Sequence, residues 1–323
     1  MACALYYMIT INYGKRGLMT DSILIKKAEP EDAREIVALY KEVYKGNYPI
    51  SEYLEPKYVE SILKTKKDIW YIAFSEGKCI GSAVGAMDLK NKSIEFGRGA
   101  IIEKFQKRGI GKRLYQLIEE DAQNFDIELL YGSLRNKAIS EISKNLGLII
   151  AGYSEFYVIG KRTLLLISMK LNDIGKKKRV APLVKDVYNL KGVQRIIKQM
   201  GLEEKCLEYP SDVIAKTNFY GEHIKLEGYY YSPSKGLTIK TLFEKDENIP
   251  EYLQATLLAD KLEHIKFLQQ MGFSITAFLP GWFPKNNKRY DCVLLTKSIT
   301  PSDINESLKP IVKDLLVEFK HQS

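Results

Sequence analysis

Residues 93–125 read SIEFGRGAIIEKFQKRGIGKRLYQLIEEDAQNF. An apolar run typical of a strand (residues 93–102) leads into Gln-Lys-Arg-Gly-Ile-Gly (residues 106–111, called here the glycine loop), and an amphipathic helix follows to Phe125. A glycine-containing loop that opens a helix directs several backbone N–H groups at one point, where the helix dipole adds attraction for an anion. The order of these parts predicts a bound pyrophosphate.

The residues of the glycine loop support an anion. Gly109 and Gly111 keep side chains away from the backbone, while Lys107, Arg108 and Lys112 add positive charge. The spacing Gln-x-x-Gly-x-Gly is neither the dinucleotide fingerprint nor a Walker loop. The hexapeptide alone also suits an ordinary helix N-terminus, so its context matters.

Hydrophobic periodicity around the loop predicts a complete domain. Between residues 23 and 170 it indicates one strand, two helices, three strands, a helix, a strand, a helix and two strands. The helix after the loop is expected to bury one apolar face that ends at Phe125.

This order, with the glycine loop between a strand and a helix, resembles the GNAT superfamily of acyl-CoA-dependent N-acyltransferases. The resemblance implies an α/β fold (α+β, a mixed sheet flanked by helices) with acetyl-CoA as cosubstrate and no metal. It implies that the N–H of Ile101, flanked by Ala100 and Ile102, holds the thioester carbonyl. Backbone amides of the loop and helix start, from Gln106 through Lys107, Arg108, Gly109, Ile110 and Gly111 to Lys112, are expected around the pyrophosphate.

The same resemblance assigns catalytic candidates. Glu95 matches an acidic position that deprotonates the attacking amine, directly or through water, although a surface ion pair is an alternative for it. Asn136 matches an asparagine that contacts pantetheine. Ser143 stands where many members have a tyrosine that protonates the leaving thiolate; a serine is a poorer acid, and a serine on the helix surface is equally compatible. Tyr131 and Tyr153 are candidate substitutes.

The second half of the chain repeats part of the first. Offset by 125 residues, Gly147 aligns with Gly272, and the strand–helix–strand pattern around each matches without gaps. A strand predicted at residues 236–244 is followed at 245–250 by a connection that lacks a glycine loop. We therefore expect tandem domains: an extension (1–20), a catalytic GNAT domain (21–172), a basic linker (173–182) and a degenerate GNAT-like domain (183–323). A chance match of two such units is the alternative.

Composition limits the other classes of function. The formal net charge is +9, with three histidines, none before residue 223, and four cysteines far apart. A histidine triad in the first domain is excluded, and the cysteines favour a reduced, cytoplasmic protein. The N-terminal stretch does not fit a secretory signal, and no membrane partner is expected. Nucleic acid is a weaker alternative suggested by the basic run 176–179, and a homodimer stays open.

We expect a small-molecule or peptide amine as acceptor. Two clusters of aromatic residues are candidates for its pocket. One comprises Tyr40, Tyr44, Tyr48 and Tyr53; the other is Tyr229–Tyr231 with residues 278–290, which read as a loop outside regular elements. For the aromatic residues of 278–290, capping the edge of a core is the favoured alternative. A non-catalytic acyl-CoA-binding module that acts through a protein partner is the alternative function.

Overall fold

The computed structural model describes residues 9–12, 22–48, 50–158, 161–181, 186–203, 209, 215–220, 225–231, 252–298 and 302–319. The strand predicted at 236–244 and the connection at 245–250 lie outside these residues. The chain packs as two compact units, Met1–Gly132 and Ser133–Ser323, and each is described by itself. This division does not test the predicted domain boundaries at 172 and 183, which stay predictions.

The first unit is a mixed sheet with three helices. Its strands are β1 (Ile9–Asn12), β2 (Ser22–Lys27), β3 (Ile69–Ser75), β4 (Lys78–Asp88), β5 (Ser93–Ile101) and β6 (Leu129–Leu134), and its helices are α1 (Ala33–Tyr44), α2 (Pro56–Thr65) and α3 (Ile110–Ala122). The strands follow one another across the sheet, antiparallel except for the parallel pair β5–β6. This confirms the mixed sheet predicted for the N-terminal half.

Two details of this unit differ from the expectations. Strand β1 pairs with β2, so Ile9–Asn12 of the predicted extension joins the sheet. Helix α3 ends at Ala122, and Phe125 lies beyond it with 41% of its surface exposed. The predicted burial of Phe125 is wrong because the helix stops one turn earlier than its apolar pattern.

Strand β5 pairs with β4 along its whole length but with β6 only in its first half. Ser93–Phe96 pairs with β6, but no later β5 residue is recorded in that pairing. On the other side, the register with β4 shifts between the pairs Val84–Gly97 and Ser82–Ala100. Residues 97–99, called here the bulge, therefore sit where β5 leaves β6, as expected of a β-bulge beside a site.

The second unit is a larger sheet with helices. Its strands are β7 (Ile149–Val158), β8 (Lys161–Leu171), β9 (Arg179–Val180), β10 (Ala215–Tyr220), β11 (Lys225–Tyr231), β12 (Tyr252–Leu258), β13 (Ser274–Lys285) and β14 (Lys288–Ser298), and its helices are α4 (Lys137–Asn145), α5 (Asp173–Lys178), α6 (Lys191–Met200), α7 (Leu262–Gln270) and α8 (Lys309–Glu318). The strand order is β8-β7-β13-β14-β12-β10-β11, with β9 parallel to β14.

The basic run is divided between two elements. Lys176–Lys178 lie in the last turn of α5, whereas Arg179 begins β9 and is buried. Its guanidinium donates to both carboxylate oxygens of Asp291, at 2.9 and 2.6 Å. A buried arginine in a bidentate ion pair belongs to the core, so it does not contribute to a solvated basic patch.

The aromatic stretch at residues 278–290 is not a loop. It forms the end of β13 and the start of β14, a hairpin that turns at Asn286 and Asn287, both with positive φ. Phe278 is fully buried. The expectation of an irregular loop is wrong because the prolines and glycine of this stretch are accommodated by a register shift in the hairpin.

The predicted repeat has matching hydrogen bonds within the second unit. After α4, the N–H groups of residues 146, 147 and 148 donate to carbonyls 142, 144 and 143. After α7, those of residues 271, 272 and 273 donate to 267, 269 and 268, which is the same pattern offset by 125 residues. The register shifts in β7 (150/152) and β13 (275/277) obey the same offset.

Two residues that are 125 positions apart pair with each other. Gly152 of β7 is the antiparallel partner of Ala277 of β13, and the two are 125 residues apart. A side chain at Gly152 would lie 2.1 Å from the Thr276 carbonyl oxygen and 2.4 Å from the Ala277 Cα. The strands can therefore approach only because residue 152 is glycine.

We predict that Gly152→Ala lowers the free energy of unfolding by about 3 kcal/mol, since the contacting atoms are backbone and cannot move away. Gly201→Ala is the matched control: it also has positive φ (60°), but no atom lies within 4 Å of the added carbon. It should cost about 1 kcal/mol. Urea denaturation of both variants measures this, and equal losses would contradict the close approach.

Candidate functional site

Three tyrosine hydroxyls hold the bulge. Tyr115 of α3 donates to the carbonyl of residue 97 at 3.3 Å, and Tyr40 and Tyr44 of α1 donate to those of residues 98 and 99 at 3.0 and 2.7 Å. Burial is the main reason that the pKa of Tyr40 is raised well above its ordinary value, so its hydroxyl stays a donor. Side chains from two helices thus supply hydrogen bonds to consecutive carbonyls at the point where the strand ladder is interrupted.

Tyr40 and Tyr44 of α1 form a packed cluster with Tyr48 and Tyr53, which follow the helix. Tyr40 stacks on Tyr48 with ring centroids 4.9 Å apart, and Tyr44 meets Tyr48 edge to face at 4.8 Å. Tyr48 also contacts Tyr53, whose ring lies under the Arg98 guanidinium at 5.1 Å. The four tyrosines proposed from the sequence for the acceptor are therefore brought together on one face of β5.

Glu95 faces this cluster. Its neighbour Phe96 packs on Tyr115 of α3, and because side chains alternate along a strand, Glu95 points to the opposite face. Glu95 is half-buried, and burial raises the pKa of its carboxyl above the ordinary value. The positive charge of Arg98 lowers that pKa and the negative charge of Asp68 raises it. Among the described residues no ion pair involves Glu95, so a surface ion pair has no support there.

Tyr131 lies beside Glu95. The two residues are register partners in the parallel pair β5–β6, which places their side chains on the same face. Burial, followed by the negative charges of Glu95 and Asp88, raises the pKa of Tyr131. The phenol is therefore protonated at neutral pH and is able to donate. Its catalytic role stays a prediction.

The open edge of β5 presents the Ile101 backbone. The N–H of Ile102 donates to the Ile80 carbonyl of β4 at 3.0 Å, and because backbone directions alternate, the N–H of Ile101 points away from β4. The Gln106 side chain donates to the Ile101 carbonyl at 3.1 Å, so the glycine loop is tied to this edge. Ala100 and Ile102 are buried on either side.

The glycine loop leads into α3 as the sequence predicts. Gly109 is the N-cap with φ 77°, and the first helical hydrogen bond runs from the Arg113 N–H to the Gly109 carbonyl at 3.0 Å. The N–H groups of residues 110–112 precede this bond, so helix geometry gives them no partner in α3. The side chains of Lys107 and Arg108 are exposed beside them. This set of donors fits a pyrophosphate, which needs several N–H groups and positive charge at one place.

The remaining predicted residues lie in the second unit. The Asn136 side chain caps α4 by accepting from the Ile139 N–H at 3.0 Å. Ser143 is buried and donates to the Ser168 hydroxyl at 2.8 Å, so a serine on the helix surface is wrong. Burial, followed by the charge of Glu155, raises the pKa of Tyr153 to about 12. The roles predicted for Asn136, Ser143 and Tyr153 stay predictions.

Sequence reasoning missed Arg98, Asp68 and Tyr115. Glycine on both sides of Arg98 was an available signal, because paired glycines in a strand often mark a bulge. The second aromatic cluster is not assembled by the described residues: Tyr229–Tyr231 lie in β11, whose side chains are outside the described part, and Phe278 is buried.

The described part of the chain lacks two kinds of feature. No group of three or more His, Cys, Asp or Glu side chains there is arranged to hold a metal ion. None of its helices combines the length and apolar character needed to cross a bilayer.

Comparison with known proteins finds similarity in the first half of the chain. Residues 33–140 match the model of the acetyltransferase (GNAT) family. A curated relative, the β-lysine N(6)-acetyltransferase of Methanococcus maripaludis, is 26% identical over 133 residues, which is 41% of this chain and 47% of that protein. The match thus spans about half of the relative's length.

Solved structures of the same class are also similar. A GNAT-family acetyltransferase from Streptococcus pneumoniae is 23% identical and covers 46% of this chain and 98% of its own, with a TM-score of 0.41. The PaiA N-acetyltransferase of Thermoplasma acidophilum, solved in complex with coenzyme A, is 18% identical and covers 47% of this chain and 99% of its own, with a TM-score of 0.36.

We predict that Tyr44→Phe destabilises the bulge, because the Gly99 carbonyl loses its donor. The free energy of unfolding should fall by about 1 kcal/mol, and hydrogen exchange of the backbone amides in β5 should become faster. Tyr58→Phe is the control, since Tyr58 is 38% exposed and contacts Tyr53 through its ring. Equal exchange rates in β5 for both variants would show that the hydroxyl does not hold the bulge.

Proposed function

Since residues 33–140 form a domain of the acetyltransferase (GNAT) family, we propose that the protein is an acyl-CoA-dependent N-acetyltransferase. It transfers an acetyl group to a primary amine by direct attack in a ternary complex. The observation that carries the proposal is the arrangement around β5: a half-buried carboxylate, Glu95, on the strand whose open edge leads into the glycine loop.

Acetyl-CoA is held along that edge as a substrate. Backbone amides from Arg108 to Lys112 bind its pyrophosphate, and the loop side chains add positive charge. The thioester end lies beside residues 100–102, where the N–H of Ile101 hydrogen-bonds the carbonyl oxygen as negative charge develops. The tie between Gln106 and the Ile101 carbonyl fixes the distance between the two ends of this surface.

The reaction joins the amine nitrogen to the thioester carbonyl carbon. Glu95 takes the proton from the amine, directly or through a water molecule; the C–N bond forms, and the C–S bond breaks. The thiolate leaves as coenzyme A and takes a proton, for which Tyr131, the register partner of Glu95, is the proposed donor. Orientation supplies much of the acceleration, because both reactants are held by the protein.

The acceptor is proposed to be a small primary amine. The similar protein from M. maripaludis is named for β-lysine, which carries amines and a carboxylate. The tyrosine cluster on the face of Glu95 offers ring surfaces for an aliphatic chain of that kind.

We also propose that the second half is a degenerate copy of the same domain. The offset of 125 residues holds for the hydrogen bonds that end α4 and α7, for the register shifts of β7 and β13, and for the pair Gly152–Ala277. Pairing of equivalent residues on antiparallel strands implies a local twofold axis through that pair. A duplicated unit that packs against its copy accounts for this symmetry.

Coenzyme A binding tests the loop. We predict that Gly109→Ala weakens binding at least 10-fold, because alanine resists the left-handed backbone (φ 77°) that aims the amides. Gly77→Ala is the control: it has the same φ of 77° and nothing within 4 Å of the added carbon, in a turn between β3 and β4. Calorimetric titration with coenzyme A measures both. Failure of the wild-type protein to bind would overturn the proposed function.

The rate of free thiol release tests whether Glu95 is the catalytic base. We predict that Glu95→Gln lowers kcat about 100-fold while coenzyme A binding is retained, since only the proton acceptor is lost. Glu141→Gln, an exposed change on α4, should leave kcat unaltered. In the wild-type enzyme kcat/KM should rise with pH through the raised pKa of Glu95, because only the ionised carboxylate accepts a proton. A Glu95→Gln variant that keeps both the rate and this rise would exclude Glu95 as base.

The raised pKa of Glu95 should also affect stability, which should fall with rising pH whereas kcat/KM rises. The folded protein binds the Glu95 proton more tightly than the unfolded chain, whose pKa is near 4.5. Glu95 therefore adds most to the free energy of unfolding of the wild type at pH values below 4.5. This contribution is lost as the pH rises through the pKa that Glu95 has in the folded protein. Glu95→Gln should lack this loss, which denaturation at a series of pH values would reveal.

A further inference from the structure

Arg98 occupies a backbone conformation that glycine would adopt more easily. It has φ 51°, in the left-handed region, and stands between Gly97 and Gly99 at the centre of the bulge. A side chain costs about 1 kcal/mol there. Strain at a site of this kind points to a use for the side chain, and the surroundings of the guanidinium indicate which.

The Arg98 guanidinium is held by its neighbours, which do not use all of its hydrogen-bond donors. It lies over the Tyr53 ring at 5.1 Å, and its Nη1 is 3.6 Å from Asp68 Oδ2, which is longer than a hydrogen bond. The Tyr53 hydroxyl is also within hydrogen-bonding reach of the guanidinium. An arginine has about five N–H donors, so these contacts leave others for a ligand. The side chain keeps 24% of its surface exposed, so a ligand can reach it.

The distance between Arg98 and Glu95 limits the length of the ligand. Arg98 and Glu95 influence each other electrostatically and lie three residues apart on β5, a strand length of at most about 10 Å. A planar guanidinium matches a carboxylate with two parallel hydrogen bonds. The tyrosine cluster lies on the same face, so a short aliphatic chain can join the two ends of the acceptor.

We propose that Arg98 determines acceptor specificity by binding the carboxylate of an ω-amino acid whose terminal amine faces Glu95. The inference rests on the proposed N-acetyltransferase function and names the class of its acceptor. Arg98 is a binding residue in this scheme, and Asp68 and Tyr53 orient its guanidinium.

Matched acceptors test the proposal in the unaltered protein. Initial rates of thiol release are measured with 6-aminohexanoate, L-lysine and β-lysine, and with the carboxamide of each, which replaces the negative carboxylate with a neutral group of similar shape. For every pair that reacts, kcat/KM should be at least 10-fold higher for the acid, mainly through a lower KM. Equal values for acid and amide would overturn the role of Arg98 and leave the acetyltransferase function standing.

Substitutions of Arg98 test whether this residue causes the preference for the acid over the amide. In Arg98→Met the ratio of acid to amide should approach one, and in Arg98→Lys, which keeps the charge but not the planar fork, it should be intermediate. Arg34→Met removes an exposed arginine of α1 and should keep the wild-type ratio. A purely structural role for Arg98, or one through the pKa of Glu95, would slow both acceptors equally and leave the ratio unchanged.

A binding measurement separates the two hypotheses if no thiol is released. Calorimetric titration of the coenzyme A complex with each acid and its amide reports acceptor recognition without chemistry. Tighter binding of the acid by the wild type than by Arg98→Met would support the carboxylate site even if the acetyltransferase function failed. Equal binding of acid and amide by the wild type would overturn it. Circular dichroism and coenzyme A affinity establish that each variant is folded.

Discussion

The bulge of β5 is the constraint on which the first unit depends. A regular strand would continue its ladder with β6, whereas here the recorded pairing stops at Phe96 and the next three carbonyls bond to tyrosine hydroxyls. Buried backbone groups need partners, so the interruption is stable only because α1 and α3 supply them. The helices therefore do more than cover the sheet: their tyrosines keep one edge of β5 available beside the glycine loop.

The same interruption places opposite charges on one face. Arg98 emerges from the bulge next to the half-buried Glu95, with Asp68 close by. Burial makes the proton of Glu95 harder to lose, and the arginine partly offsets this. A raised pKa makes a carboxylate a stronger proton acceptor, which is the direction that the base role proposed for Glu95 requires.

In the second unit a single glycine has a comparable role. Gly152 lets β7 approach β13 so closely that any side chain would meet backbone atoms of Thr276 and Ala277. The contact joins equivalent residues of two similar hairpins, each with a register shift at the same relative place. The close approach at this pair lets the sheet continue from β7 to β13 without an exposed edge between them.

Local signals in the chain were sufficient for the element order of the first half, for the glycine loop with its helix, and for the offset of 125 residues, because periodicity, glycine and charge act over a few residues. They also selected Glu95 and Tyr131, whose proximity the parallel register provides. Other features became visible only in the folded chain. They are the partners of Arg98, the tyrosine hydrogen bonds to the bulge, the burial of Arg179 and Ser143, and the hairpin at residues 278–290. Each depends on groups that are distant in sequence, as Tyr44 is from Gly99, and the energy of such a contact exists only once packing has brought the groups together.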